Sequence, residues 1–264
     1  MRELWEQYKY ISDKRYSTLS GTLVYFLILS VTPFFFLLTL FVGDVDFSAV
    51  ISHELFSAVA PVIEYLQQSA REATGSAGII LALTSLWSST NFFYHLRRSG
   101  EIIYGSGVKE GIKLRLTSLL AVFLTIIIVA AATAVPFLSY AVLMNIMPPA
   151  VAEAISLAFI TMAAFFVAYL LNIFACPYRL GFGRASGGVF LTVILWIVFA
   201  VGFKIYLQFS NPQKLYGAVA AIIVFLLWCY LMVNSLVIGI IYNGKNLEGK
   251  IKDLRQLGRR SAKF

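Results

Sequence analysis

Hydrophobic residues collect in six long blocks along the chain, and polar residues are confined mostly to the gaps between them. Each block holds about 20 mostly apolar residues, enough for a helix that crosses the ~30 Å hydrocarbon core of a bilayer. A helix also pairs its own backbone N–H and C=O groups, as a membrane-spanning segment must. We therefore predict an all-α integral membrane protein with six transmembrane helices, at Leu19–Val42, Gly75–His95, Thr117–Tyr140, Pro149–Phe174, Arg184–Tyr206 and Leu215–Tyr242.

The gaps are too short to hold a second, soluble domain, so the pattern predicts one membrane domain. It divides into an interfacial segment (residues 1–18), a six-span bundle (19–243) and a basic tail (244–264). The charged residues that precede the first block do not form a cleavable signal peptide. We therefore expect the first block to be retained as a transmembrane helix.

Basic residues lie mainly in alternate gaps. Four precede the first block, five separate the second and third, two separate the fourth and fifth, and seven follow the sixth. The other side carries only Arg71, Lys204 and Lys214. Because basic loops stay on the cytoplasmic side, both termini are predicted to be cytoplasmic. This topology accounts for the net charge of +8 without a nucleic-acid partner, and it favours contact with anionic lipid headgroups.

Two segments outside the blocks have amphipathic helical spacing. The gap after the first block predicts one or two outer helices with a break near Pro61, which either lie on the outer leaflet or fold over the bundle as a lid. Their apolar stripe is Ile51, Leu55, Val59, Val62 and Leu66. The tail repeats the pattern with Leu247, Ile251 and Leu254 between basic residues, which predicts a short helix on the cytoplasmic membrane surface.

Polar residues inside the second block share one helix face. Thr84, Ser88, Asn91 and His95 follow each other at steps of four, three and four. Because polar groups are costly in hydrocarbon, this face is expected to point into the bundle. Two alternatives remain open: hydrogen bonds between packed helices, or one wall of a hydrated cavity that opens near Arg97 and Arg98.

Other blocks carry isolated residues that need an explanation. Pro33 predicts a kink in the first block, close to Tyr25, because proline removes a backbone donor and clashes with the preceding turn. Lys204 lies near the outer end of the fifth block. Its ammonium group either snorkels to the headgroups or faces the bundle and binds an anionic group, with Glu153 as a possible partner.

The fifth block begins with a glycine-rich stretch. Gly183 and Gly187 have the spacing that lets two helices approach closely, and such a pair also permits a homo-oligomer. Alternatively, the exposed N–H groups of this helix start, with Arg179 and Arg184, could hold a phosphate.

Residues typical of catalysis and of metal binding are sparse. The two histidines, His53 and His95, fall on opposite sides of the predicted bundle, and no HExxH, GxSxG or cysteine cluster occurs. Cys176 and Cys229 lie at different depths, which is typical of packing residues rather than of a disulfide. We therefore expect neither an enzyme nor a metal or other cofactor site.

A set of motifs covers most of the chain. They are Tyr25–Phe36, Leu86–Ser89, Leu96–Arg98, Pro177 with Arg179, Gly202–Tyr206 and Tyr216–Trp228. Together they resemble the YihY/BrkB family of bacterial inner-membrane proteins, over residues 16–246. The resemblance implies six spans with both ends in the cytoplasm.

What the resemblance implies about function is broad. Some members of the family are linked to serum resistance, and others to export or lipid movement. Members are often mislabelled ribonuclease BN, a label that no nuclease site in this sequence supports. Tyr242 and Asn243 stand where many members carry an acidic ending, so any role of that carboxylate cannot be transferred here.

These observations lead to two functional hypotheses. The first is an inner-membrane transporter or flippase-like protein that moves a lipid or a small amphiphilic or anionic solute. The second is a membrane scaffold or envelope-assembly factor that transports nothing. The first hypothesis assigns cavity residues, which are Tyr25, Pro33, Ser88, Asn91, His95, Lys204, Tyr206, Tyr216 and Asn234. It also assigns residues for a headgroup or anion, which are Arg97, Arg98, Arg179, Arg184 and Glu153.

Overall fold

Long helices make up almost all of the chain in the computed structural model. The structure describes residues 10–42, 60–76, 79–106, 112–143, 148–178, 181–210 and 220–261, and these residues contain no β-strand. The helices are α1 (Tyr16–Val42), α2 (Ala60–Ser76), α3 (Ile79–Tyr104), α4 (Ile112–Leu143), α5 (Pro149–Ala175), α6 (Phe182–Ser210) and α7 (Ala220–Ser261). The all-α prediction is confirmed for this part of the chain.

Six of these helices, α1 and α3 to α7, form a closed bundle. Each packs against the next in the chain, and α7 packs back against α1. Successive members run in opposite directions: Lys14, just before α1, contacts Ile103 near the end of α3, whereas Ser30 further along α1 contacts Ser88. The six predicted blocks therefore correspond to six helices of one bundle.

The core of the bundle is apolar and lies mainly between α1, α3 and α7. Leu23, Leu37, Leu96, Val237 and Ile241 are almost completely buried there. Many large apolar side chains instead cover the outside, among them Ile112, Leu120, Phe190, Ile194 and Phe209. Apolar exposure on this scale suits contact with lipid rather than with water.

Not all six passes are equally apolar. Four segments are long and apolar enough to cross a membrane: Ile112–Ala131, Ala150–Ala175, Gly183–Ser210 and Ile222–Lys245. The bent helix α1 makes a fifth if its two arms count as one span. Helix α3 is not among them, since the polar residues between Thr84 and His95 interrupt its apolar run. The structure therefore supports four to five of the six predicted spans by length and composition.

The predicted kink in the first block is confirmed. The axis of α1 bends by 42° between residues 16–31 and 33–40. Pro33 lies at the bend, where its ring excludes the normal contact with the preceding turn and its nitrogen has no proton to donate. The bend gives α1 two arms that can pack on different neighbours.

Local sequence sets where the helices end. Gly105 has a φ of +62° and follows α3, with Ser106 N–H donating to the Glu101 carbonyl at 3.1 Å. This is a Schellman ending, which requires the left-handed backbone that glycine adopts readily. Helix α5 begins at Pro149 and stops before Cys176, whose backbone is extended because Pro177 follows it.

The two predicted amphipathic segments have different outcomes. Helix α2 begins next to Pro61, buries Leu66, and packs Ile63 against the bundle, on α1 and α7. Residues 43–59, the first part of the predicted outer segment, lie outside the described residues. The basic tail is helical, but α7 continues into it without a break as far as Ser261. The separate tail helix that the sequence predicted is therefore an extension of the last bundle helix.

Candidate functional site

Basic side chains gather at one end of the bundle. Here α1 and α4 begin, α3 and α5 end, and α7 leaves the bundle. We call this the basic end, and it is defined by Lys14, Arg97, Arg98, Arg115 and Lys245. The antiparallel order of the helices brings together residues that the sequence separates widely. Lys14, for example, donates from Nζ to the carbonyl of Ile103 at 2.9 Å.

Arg97 joins the ends of α3 and α5. Its guanidinium donates to the carbonyl oxygens of Phe174, at 3.0 Å, and of Cys176. The last carbonyls of a helix lack partners within that helix, and a cation stabilises this negative end. Arg97, predicted as a headgroup residue, thus makes a structural contact at the end of α5. Burial raises the pKa of the neighbouring Cys176 thiol, so this thiol is protonated and unreactive at neutral pH.

A buried carboxylate lies one turn beyond Arg98. The Glu101 side chain is only 3% exposed, and its Oε2 is 4.0 Å from Nη1 of Arg98. Within the described residues, Oε2 accepts no hydrogen bond. Arg98 also lies over the ring of Tyr94, 5.6 Å from its centroid. Sequence reasoning did not single out Glu101, although its spacing of three residues from Arg98 on one helix would have indicated the pair.

The polar face of α3 holds an arginine that the sequence analysis counted only for topology. Nη1 of Arg115, near the start of α4, donates to Asn91 Oδ1 at 2.8 Å and to Thr90 Oγ1 at 3.2 Å. The guanidinium carbon lies 4.8 Å from the ring centroid of Trp87 and 4.2 Å from that of Tyr94. We call these four residues of α3 the arginine cage.

Residues on the polar face of α3 also contact α1. The ring of His95 stacks on Phe26, with centroids 3.4 Å apart and planes within 6°. Further along, Ser30 donates to the Ser88 carbonyl at 3.1 Å. Of the predicted cavity residues on α3, Asn91 therefore faces α4, while His95 and the backbone of Ser88 face α1.

Polar side chains also line the contact between α1 and α7, which we call the α1–α7 seam. Ser20 donates to Asn234 Oδ1 at 3.0 Å, and the hydroxyls of Ser17 and Tyr230 share a hydrogen bond of 2.9 Å. The latter pair is exposed on the outside of the bundle. Tyr25 is exposed as well, beside Phe26. The seam places the predicted cavity residue Asn234 next to the first arm of bent α1.

Three helices meet at a buried group of amides, which we call the amide cluster. Asn243 Nδ2 donates to Asn172 Oδ1 at 3.0 Å and to the Ala185 carbonyl at 3.2 Å. Its Oδ1 accepts from the Gly188 N–H at 2.8 Å. Asn172 in turn donates to the Ala168 carbonyl at 2.9 Å. The cluster ties α5, α6 and α7 together near the basic end.

The close approach of α6 to a neighbour occurs at Gly188, where it meets Gly239 of α7. A Cβ atom added at either position would collide with the backbone of the other. The sequence predicted this approach at Gly183 and Gly187. Among the described residues of one chain no helix approaches Gly183, which has open space around it, whereas Gly187 faces the ring of Tyr242.

The other predicted site residues are scattered. Lys204 is half-buried near the end of α6 away from the basic end, and Tyr206 is exposed with its ring stacked on Phe203. Arg184 is exposed at the start of α6. The side chain of Glu153, together with Arg179 and Tyr216, lies outside the described residues. The pairing of Lys204 with Glu153 therefore stays a prediction.

The long apolar helices pack side by side, their exterior is apolar, and polar side chains form hydrogen bonds between them. These features define a multi-pass helical membrane protein. A family model described as virulence factor BrkB matches residues 8–260, nearly the whole chain. The chain therefore belongs to the BrkB virulence factor family, in agreement with the resemblance in its motifs. Comparison with curated proteins and with solved structures gives no significant match.

Proposed function

We propose that this protein is a bacterial inner-membrane transporter or flippase-like protein that moves a lipid or a small amphiphilic or anionic solute. The proposal includes six spans, cytoplasmic termini and no enzymatic or nucleic-acid-binding step. One observation carries it: α1 is bent at Pro33, and hydrogen bonds attach its first arm to α3 through Ser30 and to α7 through Ser20. A bent helix with exchangeable polar contacts on two sides is suited to opening a path.

The path would follow the α1–α7 seam. Hydroxyl and amide groups at Ser17, Ser20, Tyr230 and Asn234 could exchange their present partners for a polar headgroup, while the acyl chains stay in lipid. Arg98 would attract an anionic group at the basic end. At the opposite end, the corresponding attraction would come from Lys204, with Tyr206 and Tyr216 nearby in the sequence.

The orientation can be tested by cysteine labelling. Ser106 is placed beyond α3 at the basic end and Glu72 on α2 at the opposite end, while native Cys176 and Cys229 are buried. We expect a membrane-impermeant maleimide added to intact spheroplasts to label Glu72→Cys but not Ser106→Cys. Lysis should make both variants reactive. Labelling of Ser106→Cys in sealed spheroplasts would place the basic end outside and contradict the topology.

The transport test follows fluorescent lipid and labelled anionic solute in liposomes that contain the purified protein. We expect Pro33→Ala to lower the transport rate severalfold, because it restores a straight helix, and Asn234→Ala to change it by altering the seam. Thr161→Val is the matched control, since Thr161 is exposed on α5 and bonds only to its own helix. Equal rates in all four proteins, or no transport above empty liposomes, would contradict the proposal.

A scaffold without transport remains the second candidate, and the amide cluster favours it. The polar groups of Asn243, Asn172 and Gly188 are satisfied inside the bundle, as expected of a rigid body. A folded wild-type protein that moves neither lipid nor solute in liposomes would support this alternative.

A further inference from the structure

Arg115 has uncharged partners within the described part of the chain. Its four contacts, the arginine cage, are two aromatic rings, a hydroxyl and an amide. Arg115 lies near the start of the segment Ile112–Ala131, which is apolar enough to cross a membrane. A basic residue at the end of such a segment is within reach of the lipid headgroups.

A second arginine shares the Tyr94 ring with Arg115. Arg98 lies over this ring, 5.6 Å from its centroid, and the Glu101 carboxylate is 4.0 Å from the Arg98 guanidinium. Aromatic faces stabilise a guanidinium without neutralising it. The cage therefore holds a positive charge in place and leaves it available to an anion.

The cage opens toward lipid. Trp87 is 63% exposed although its ring contacts the Arg115 guanidinium. Exposed leucines flank it on both helices, with Leu83 on α3 and Leu116 and Leu120 on α4. A ligand at this position would meet a charge at one end and an apolar surface beside it, which matches the two parts of a phospholipid.

We propose that Arg115 and its cage form a binding site for the phosphate of an anionic phospholipid in the adjacent leaflet. Both hydrogen bonds that the guanidinium makes to described residues come from Nη1, which leaves Nη2 and Nε to bind two phosphate oxygens. The acyl chains lie along the leucines of α3 and α4. This site is on the lipid-facing surface of the bundle between α3 and α4, away from the α1–α7 seam. Lipid binding there does not require that the protein transports anything.

Asn91→Asp provides the decisive variant. It is nearly isosteric and puts a carboxylate 2.8 Å from the guanidinium, so α3 and α4 stay joined while Arg115 gains an internal counter-ion. We expect this variant to keep or raise the thermal midpoint and to bind dioleoylphosphatidylglycerol about tenfold more weakly than wild type, as loss of one charge-assisted contact predicts. Arg115→Gln should lose the lipid similarly.

Binding is measured by native mass spectrometry of the full chain in detergent, titrated with phosphatidylglycerol or phosphatidylcholine. Lys113→Gln is the matched control, because it removes the same charge from the same helix start without touching the cage. We expect it to bind within about twofold of wild type, as a change of under 0.5 kcal/mol implies.

Three results would overturn the proposal. The first is wild-type affinity in Asn91→Asp with an intact fold. The second is an equal loss in Lys113→Gln. The third is displacement of the lipid by millimolar inorganic phosphate, which would make this a site for soluble anions. A negative liposome transport assay bears only on the proposed function, since the lipid titration needs no transport.

Discussion

Gly188→Ala is expected to prevent the protein from accumulating in a folded form. The added methyl group would collide with the Gly239 carbonyl and with the Asn243 side chain, so α6 and α7 would have to separate. Backbone atoms cannot move aside as the tip of a flexible side chain can. We expect a loss of more than about 3 kcal/mol, at or above the usual range for overpacking. This loss of stability is measured by thermal unfolding in mild detergent, followed by size-exclusion chromatography.

Gly202→Ala is the matched control for this prediction. Gly202 is in the interior of the same helix, and a methyl group there meets nothing within 4 Å. Because alanine favours a helix over glycine by about 1 kcal/mol, the control should unfold at the wild-type temperature or slightly above it. If Gly188→Ala and Gly202→Ala unfold alike, then α6 and α7 do not meet as closely as the structure has them.

The sequence predicted the helices well because each depends on its own residues. The apolar blocks and the bend at Pro33 follow from local composition and from the geometry of proline. The charge pattern also predicted which helix ends lie together. The predicted span agreed less well with the structure at α3, because the polar face of α3 gives it a composition between that of a transmembrane helix and that of a soluble helix.

Contacts between helices could not be predicted in the same way. Glycines at several positions of the fifth block had suitable spacing, and only the rotation of α6 against α7 selects Gly188 over Gly183. Likewise, Arg115 was one basic residue among many until the structure placed it over Trp87 and Tyr94. Such pairings depend on the register of neighbouring helices, which a single sequence does not specify.

Asn243→Ala is expected to cause the second large loss of stability. The substitution would remove three buried hydrogen bonds, which join Asn243 to the Gly188 N–H, the Ala185 carbonyl and Asn172 Oδ1. At about 1 kcal/mol for each group, a value between soluble-protein and membrane-protein measurements, we expect a loss of about 2 to 4 kcal/mol. Thermal unfolding in detergent measures this loss directly.

Asn234→Ala separates a general effect of removing an asparagine from the effect of the amide cluster. Asn234 is on the same helix, but its Oδ1 only shares the single hydroxyl proton of Ser20 with the Tyr16 carbonyl, which can still accept that proton in the variant. We expect Asn234→Ala to cost less than about 1 kcal/mol.

Asn243→Asp should resemble Asn243→Ala, because its second oxygen would face the oxygens of Asn172 and Ala185 instead of donating to them. Equal stability of the Asn243 and Asn234 variants would mean that the cluster does not hold α5, α6 and α7 together, and the case for a rigid scaffold would lose its main support.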